Sequence, residues 1–231
     1  MATTKQAHFS PKLFQFLKQL KRNNTREWFE ANKGRYLETI RDPLLRFIED
    51  IAPRLEKISP EIVADPRGNG GSMFRIHRDV RFSKDKSPYK THAAAQFRHA
   101  EGKSVHAPGY YLHLEPGSVF MGAGMWRPDS PSLANIRKTI VDDPAAWKKL
   151  VAGKTLRSTF TREGDRLKRP PRGFDAEHPL VEDLKRKDHI LVARFDEQEA
   201  CDPGFLTLFA KRCRESSGFM AFLARANDLP W

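Results

Sequence analysis

The chain is predicted to turn back on itself at residues 110–125, which read YYLHLEPGSVFMGAGM. Two runs with alternating apolar residues, Tyr110–Leu114 and Val119–Met125, flank the sequence EPGS at 115–118. Proline and glycine suit tight turns, because proline fixes φ and glycine tolerates a positive φ. The pattern therefore predicts an antiparallel β-hairpin over Tyr110–Met125.

Outside this hairpin, the sequence predicts strands in the middle of the chain and helices towards both ends. Apolar residues spaced by three and four predict the longest helical stretch at Tyr36–Ile58, with Asp42 either capping a restarted helix or preceding a kink at Pro43. Residues 153–178 have a poor pattern and are predicted to be largely irregular. Further strands are predicted at Met73–His77, Ala93–His99 and Ile190–Phe195. Further helices are predicted after Ser10 and after Ser130, and at Thr25–Lys33, Pro144–Val151 and Pro179–Lys187. Two more helices are predicted at the end of the chain, at 203–215 and 219–227. The layout predicts an α+β fold with a central antiparallel sheet and helices from both ends of the chain packed against it.

Composition indicates a folded chain outside the membrane. Of 231 residues, 39% are hydrophobic and 30% are charged, and no apolar run approaches the ~20 residues needed to span a bilayer. Residues 1–8 lack the apolar stretch of a signal peptide, so we expect a disordered lead at 1–8, one globular domain at 9–231 and a cytoplasmic location. Cys201 and Cys213 form no CxxC pair and are expected to be free thiols. No pattern indicates an oligomeric state.

The net charge of +12 is concentrated in two segments. Residues 67–106 carry nine Lys or Arg against three Asp or Glu, and residues 154–173 carry seven against two. Concentrated positive charge attracts phosphates and other anions, although it also simply favours solubility.

Within the first segment, residues 75–90 combine cationic and aromatic side chains. Arginine binds phosphate or carboxylate through a planar fork and lysine through a point charge. Phe82 and Tyr89 are suited either to anchoring the segment or to stacking, and Asp79 to orienting an arginine. The structural alternative is a solvated hairpin whose base is tied by Arg–Asp pairs. The predicted ligand-binding residues here are Arg75, His77, Arg78, Asp79, Arg81, Lys86, Tyr89 and Lys90.

The hairpin at 110–125 is predicted to offer a facing wall through Tyr111, His113 and Arg127. Gly122 and Gly124 leave room for a ligand or, equally, for tight packing of the sheet. His113 and Glu115 point to one side of a strand as metal ligands do, but no spacing supplies a third ligand, so no metal site is predicted. No P-loop, dinucleotide fingerprint, GxSxG or HExxH motif is present, so no cofactor and no catalytic residue is identified.

Several distinctive stretches occur along the chain: Trp28–Lys33, Phe74–Ile76, Ser83–Lys90, Tyr110–His113 with Glu115–Gly117, Gly122–Pro128 and Leu167–Phe174. Together they resemble the conserved hypothetical proteins grouped as domain of unknown function 2461. The resemblance extends from about Phe9 to about Phe222. It implies a single globular domain and brings no activity, cofactor or catalytic residue with it.

Three functional hypotheses follow from the sequence. The first is a basic pocket for a phosphate-bearing or other anionic small molecule, in a binding protein or an enzyme. It is preferred because His77, Asp79, Asp85 and Tyr89 are interleaved with the cations, which suits a defined pocket. The second is a non-catalytic nucleic-acid-binding module whose two basic segments share one face. The third is a protein-interaction module, with contacts at 126–128 or at Trp231.

Overall fold

The computed structural model describes residues 7–101 and 106–231. Residues 1–6 of the predicted lead at 1–8 lie outside the described residues. The last residue of this lead, His8, is described, and its imidazole lies 2.8 Å from the Asp50 carboxylate. The described residues form an antiparallel sheet of six strands in the order β1-β2-β3-β4-β6-β5. The strands are β1 (Ile62–Val63), β2 (Ala93–His99), β3 (Gly109–Glu115), β4 (Ser118–Met125), β5 (Thr161–Glu163) and β6 (His189–Phe195).

Strands β3 and β4 form the predicted hairpin. Their register runs from Glu115 opposite Ser118 at the turn to Gly109 opposite Gly124. Gly117 has a φ of 78° at the turn, which a residue with a side chain rarely adopts. The prediction of the hairpin from its turn residues and alternation is confirmed.

Helices precede, interrupt and follow the sheet along the chain. Several begin where the sequence supplies a capping side chain: the Thr25 hydroxyl accepts a hydrogen bond from the N–H of Trp28, and Asp129 and Asp143 cap the helices that follow them. The helices are α1 (Pro11–Arg22), α2 (Arg26–Ala31), α3 (Lys33–Tyr36), α4 (Asp42–Glu56), α5 (Ser130–Asp142), α6 (Pro144–Ala152), α7 (Lys154–Thr159), α8 (Val181–Leu184), α9 (Glu197–Ala200) and α10 (Phe205–Ala226).

One face of the sheet forms the core with helices from both ends of the chain. Tyr110 on β3 is buried there, and its hydroxyl donates to the carbonyl of Cys213 on α10 at 2.9 Å. Phe209 of α10 contacts Phe97 of β2 and Phe47 of α4, with ring centroids 5.8 and 5.5 Å apart. The predicted α+β fold, with terminal helices against an antiparallel sheet, is confirmed.

Neighbouring helices join differently from the predictions at two places, and the helix predicted at Pro179–Lys187 is only the 4 residues of α8. A π-helical turn at Leu37–Arg41 joins α3 to α4, so Asp42 does not cap a restarted helix. The N–H of Asp42 donates to the carbonyl of Leu37, and this wider turn directly precedes Pro43, which has no N–H to donate. The two predicted C-terminal helices form one helix, α10, which continues through Gly218 because its buried apolar face continues on both sides.

The basic segment at 153–178 is more ordered than predicted. Helix α7 and strand β5 lie within it, and β5 pairs with β6 at the edge of the sheet. The irregular composition of the segment concealed these elements, because both are short and their stability depends on contacts with distant residues.

The second face of the sheet is half-exposed and is called the open face here. Because side chains alternate along a strand, it carries the residues between those of the core. Tyr111 and His113 of β3, Phe120 of β4 and Arg194 of β6 lie on this face. The two predicted ligand-binding residues of β3 are therefore neighbours on the open face.

Candidate functional site

Residues 73–92 form a second hairpin, called the basic hairpin here, which extends the line of β2. The strand predicted at Met73–His77 is reduced to isolated bridges, Met73 with Ala95 and His77 with Tyr89. The N–H of Phe74 donates to the carbonyl of Ala94, and the N–H of Arg78 donates to the carbonyl of Pro88. The Asn24 side-chain amide forms two hydrogen bonds with the backbone of Tyr89, at 3.0 and 3.1 Å. Asn24 thereby acts as a clamp that holds the basic hairpin against the N-terminal helices.

The tip of the basic hairpin is held together by ion pairs. Arg78 pairs with Asp85, and Arg81 donates two hydrogen bonds to the Asp79 carboxylate at 2.7 and 3.0 Å. The hydrogen bonds from Arg81 lower the pKa of Asp79 to about 2, so this carboxylate stays ionised. The ammonium group of Lys86 donates to the carbonyl of Val80 at 3.0 Å. The Arg–Asp pairs that were expected for a purely structural hairpin are therefore present, but they lie at its tip and not at its base.

A depression of about 320 Å³ lies between α2 and the basic hairpin and is called the hairpin depression here. Three predicted residues meet in its lining, His77, Arg78 and Tyr89. Tyr89 is only 3% exposed, because its ring stacks on Phe29 with centroids 4.1 Å apart. The other lining residues are Arg26, Glu30, Val80 and Pro88. Sequence reasoning missed Arg26 and Glu30, since they belong to a helix distant in sequence.

The remaining cations of the basic hairpin lie outside this depression. Lys90 donates to the carbonyls of Arg75 and His77 at 2.5 and 3.2 Å, and burial followed by the charge of Arg75 lowers its pKa. Arg75 is exposed and is not part of the lining. Lys90 therefore ties the two strands of the basic hairpin together.

Arg127 does not join Tyr111 and His113 in one wall. His113 lies opposite Phe120, and Arg127 follows Phe120 by seven residues, which corresponds to roughly 20 Å of extended chain. The Arg127 guanidinium lies 4.8 Å from the centroid of the Trp126 ring, and the backbone N–H of Arg127 donates to the buried Asp188 carboxylate.

The two glycines of β4 serve different purposes. Gly124 has a φ of 131°, and a Cβ there would lie 2.0 Å from the carbonyl oxygen of His189. A Cβ at Gly122 would meet only ordinary contact with Tyr111, at 3.7 Å. Gly124 therefore permits close approach of β6, which matches the packing alternative.

Two imidazoles and a carboxylate meet at the open face and are called the His–Glu cluster here: His92, His113 and Glu115. One ligand atom of each lies within 4.8 Å of those of the others. His113 Nε2 lies 3.3 Å from Glu115 Oε2, and the rings of His92 and His113 have centroids 4.6 Å apart. Sequence spacing predicted that His113 and Glu115 share a side. His92 was missed, because only the register of β2 against β3 brings it to this position.

Neighbouring side chains hold the cluster in place. The Tyr111 hydroxyl lies 2.9 Å from His113 Nδ1, and the Thr91 hydroxyl donates to Glu115 Oε1 at 3.2 Å. Phe120 stacks on His113 with centroids 4.6 Å apart. Burial lowers the pKa of His92 to about 4 and also lowers that of His113, so both rings are neutral near neutral pH.

With this geometry established, comparison with known proteins identifies the family. The model described as "Conserved hypothetical protein (DUF2461)" matches residues 12–222. The chain belongs to this family. The match includes the basic hairpin, the hairpin depression and the His–Glu cluster of this DUF2461 chain. Among curated proteins, none matches it.

Two further observations bear on what this DUF2461 chain can do. Among its described residues, no helix has the length and apolar character needed to cross a membrane. Both cysteines are free, as predicted, and burial raises the pKa of Cys213 and of Cys201. Their thiols are therefore protonated near neutral pH and are poor nucleophiles.

Proposed function

We propose that this protein binds a phosphate-bearing or other anionic small molecule in the hairpin depression. The observation that supports this is the convergence of Arg26, His77 and Arg78 on one concave surface. Arginine forks bind phosphate and carboxylate oxygens through paired hydrogen bonds, which suits a small anion better than a single point charge does.

The charges around the depression favour an anion. Among the described residues, Arg26 has no carboxylate within ion-pair distance, and its charge acts only at longer range on its neighbour Glu27, so its guanidinium is available to a ligand. Glu30 is the acidic lining residue, and it lies 3.4 Å from the Lys33 ammonium group. Arg78 is oriented by Asp85 and by the Ser83 hydroxyl, which bond its two terminal nitrogens. The depression thus combines one cation without a carboxylate partner in the described part of the chain, Arg26, with a second, Arg78, whose guanidinium is held by Asp85 and Ser83 of the hairpin itself.

The size of the depression also suits a small ligand. Its volume of about 320 Å³ is at the lower end of the ~300–1,000 Å³ typical of ligand sites. Pro88 and the edge of Tyr89 add apolar surface to the lining. A phosphorylated metabolite or a mononucleotide fits this combination of volume, charge and apolar contact.

A thermal-shift screen of phosphorylated metabolites and nucleotides at about 150 mM salt tests this proposal, since weak surface electrostatics are screened there. A ligand at ~100 times its dissociation constant should stabilise the fold by roughly 2.7 kcal/mol. We expect Arg26→Ala to abolish the shift and Arg172→Ala, an exposed arginine of the second basic segment, to retain it. Absence of any selective ligand, or an undiminished shift in Arg26→Ala, would refute the proposal.

A second candidate, single-stranded nucleic acid, is favoured by one observation at the tip of the basic hairpin. The Phe82 ring is 95% exposed, with the Arg81 guanidinium 5.8 Å from its centroid. Exposed aromatic rings beside cations provide stacking platforms for bases. Tyr89, the other predicted stacking ring, is buried and cannot serve in this way. Oligonucleotide binding that weakens with salt and is reduced in Phe82→Ala, but not in Arg26→Ala, would select this candidate.

A further inference from the structure

We propose that the His–Glu cluster binds a divalent first-row transition-metal ion on the open face of the sheet. His92, His113 and Glu115 are the ligands. This site lies among different residues from the hairpin depression, and the proposal does not depend on anion binding there.

The spacing of the donor atoms suits one ion. Ligand bonds of about 2.1 Å in tetrahedral geometry place neighbouring donor atoms about 3.4 Å apart. His113 Nε2 and Glu115 Oε2 already lie at 3.3 Å. The third donor, on His92, lies within 4.8 Å of both, and the half-buried ring has to turn towards the ion to complete the site.

The sheet itself places the ligands. His113 and Glu115 are two residues apart on β3 and therefore project to the same side. Ala93 pairs with Leu114, so His92, which precedes β2, comes next to Glu115 across the strand pair. Strand pairing thus brings the three ligands together: two lie within β3, and His92 lies in the bend that directly precedes β2.

The neighbouring hydrogen bonds resemble the support that metal ligands have in known sites. A ligating histidine usually donates its other N–H to a polar partner, and a ligating carboxylate is itself hydrogen-bonded. The Tyr111 hydroxyl occupies that position at His113 Nδ1, which leaves Nε2 directed at the cluster. The Thr91 hydroxyl holds the Glu115 oxygen that points away from His113.

His92 distinguishes a metal site from a simple hydrogen-bonded chain. Tyr111, His113 and Glu115 satisfy one another without an ion. The ring nitrogens of His92 accept or donate no hydrogen bond among the residues described, although the ring is packed against that of His113. A bound ion gives this half-buried imidazole the partner that the protein does not supply.

The ligand set also selects the class of ion. Two imidazoles and a carboxylate suit zinc and its first-row neighbours, whereas magnesium and calcium prefer oxygen ligands alone. Three protein ligands leave at least one position for water or a substrate, as in catalytic rather than structural zinc sites. The proposed ion therefore has the coordination needed for a Lewis acid.

Cobalt(II) and zinc(II) binding to the chelator-stripped full chain tests the proposal. We expect one ion per chain, with visible absorption of coordinated cobalt that zinc displaces, and weak or no binding of magnesium and calcium. His92→Ala and Glu115→Gln should lose this stoichiometric binding. His8→Gln, which removes an imidazole paired with Asp50 far along the chain, is the matched control and should retain it.

A further variant separates ligation from folding. Tyr111→Phe keeps all three ligands and loses only the hydroxyl that orients His113, so affinity should fall by roughly 10- to 100-fold while the circular dichroism spectrum is unchanged. Wild-type protein that binds neither cobalt nor zinc stoichiometrically would overturn the proposal. Undiminished binding in folded His92→Ala would overturn it equally.

Discussion

Replacing Asp183 by asparagine should destabilise the fold far more than the loss of one ion pair at the surface. The Asp183 carboxylate lies 2.5 Å from Arg162, accepts a hydrogen bond from the Trp147 indole at 2.9 Å, and lies 4.0 Å from Arg186. The asparagine side chain would have nearly the same shape and could still accept from Trp147. It would have no charge to balance the two arginines.

The magnitude follows from how buried these groups are. Removing one partner of a buried ion pair costs about 3–5 kcal/mol, because the remaining charge is left uncompensated. The Asp183 and Arg162 side chains are 16% and 21% exposed, so water reaches them in part and the lower end of that range, about 3 kcal/mol, applies. Arg186 is buried more deeply, and its Nε already lacks a hydrogen-bond partner.

Urea unfolding followed by circular dichroism measures this cost. With a denaturant slope of about 3 kcal/mol per molar, the midpoint of Asp183→Asn should fall by about 1 M. Asp142→Asn makes the same chemical change at the Lys138 pair, where the side chains are 56% and 75% exposed, and should cost no more than about 1 kcal/mol. Equal midpoints for the two variants would refute the reasoning.

Three other predictions concern stability. Tyr89→Ala should cost about 3–5 kcal/mol in urea unfolding, since its ring is buried on Phe29, whereas Phe82→Ala should stay within about 0.5 kcal/mol. Gly124→Ala should lower the free energy of unfolding by at least about 2 kcal/mol, because the residue has a positive φ and lies close to the backbone of β6, and Gly122→Ala should lower it much less. Equal thermal melting temperatures for these two variants would contradict the prediction. Burial, followed by the charges of nearby arginines, lowers the pKa of His189 to about 3, so the unfolded chain takes up a proton below about pH 6.5 that the folded chain does not. When the pH is lowered from about 7 to about 5, the free energy of unfolding of His189→Phe should therefore fall by about 2 kcal/mol less than that of the wild type. Urea unfolding at both pH values measures this difference.

Local sequence signals predicted the elements whose pattern is strong. The β3–β4 hairpin follows from the turn at 115–118 and the alternation on each side, and both are local properties. The C-terminal helix was predicted in two pieces, because its continuation through residues 216–218 depends on burial of Phe219 and Met220, and Phe219 contacts Trp147 of α6. Tertiary packing outweighs the modest cost of a glycine in a helix.

The candidate site was predicted only in part, for a similar physical reason. His77, Arg78 and Tyr89 are close in sequence and also meet in space. Arg26 joins the hairpin depression because the clamp at Asn24 holds the basic hairpin against the N-terminal helices. His92 joins the His–Glu cluster because of the register of β2 against β3. No spacing in the sequence encodes either arrangement. Strand register is set by pairing between distant segments, so a single sequence reveals which residues share a side of one strand and not which strand lies beside it.

The net charge of the basic hairpin overstates its capacity to bind anions. Arg78 and Arg81 are paired with carboxylates of the same hairpin, and Lys86 and Lys90 bond its backbone carbonyls. These cations stabilise a scaffold, and the scaffold presents different residues on its two sides. Tyr89 lines the hairpin depression beside Arg26, while His92, three residues later, belongs to the open face. Arg26, a residue outside the basic segment, is therefore the sharpest probe of anion binding, and His92 is the sharpest probe of the metal site.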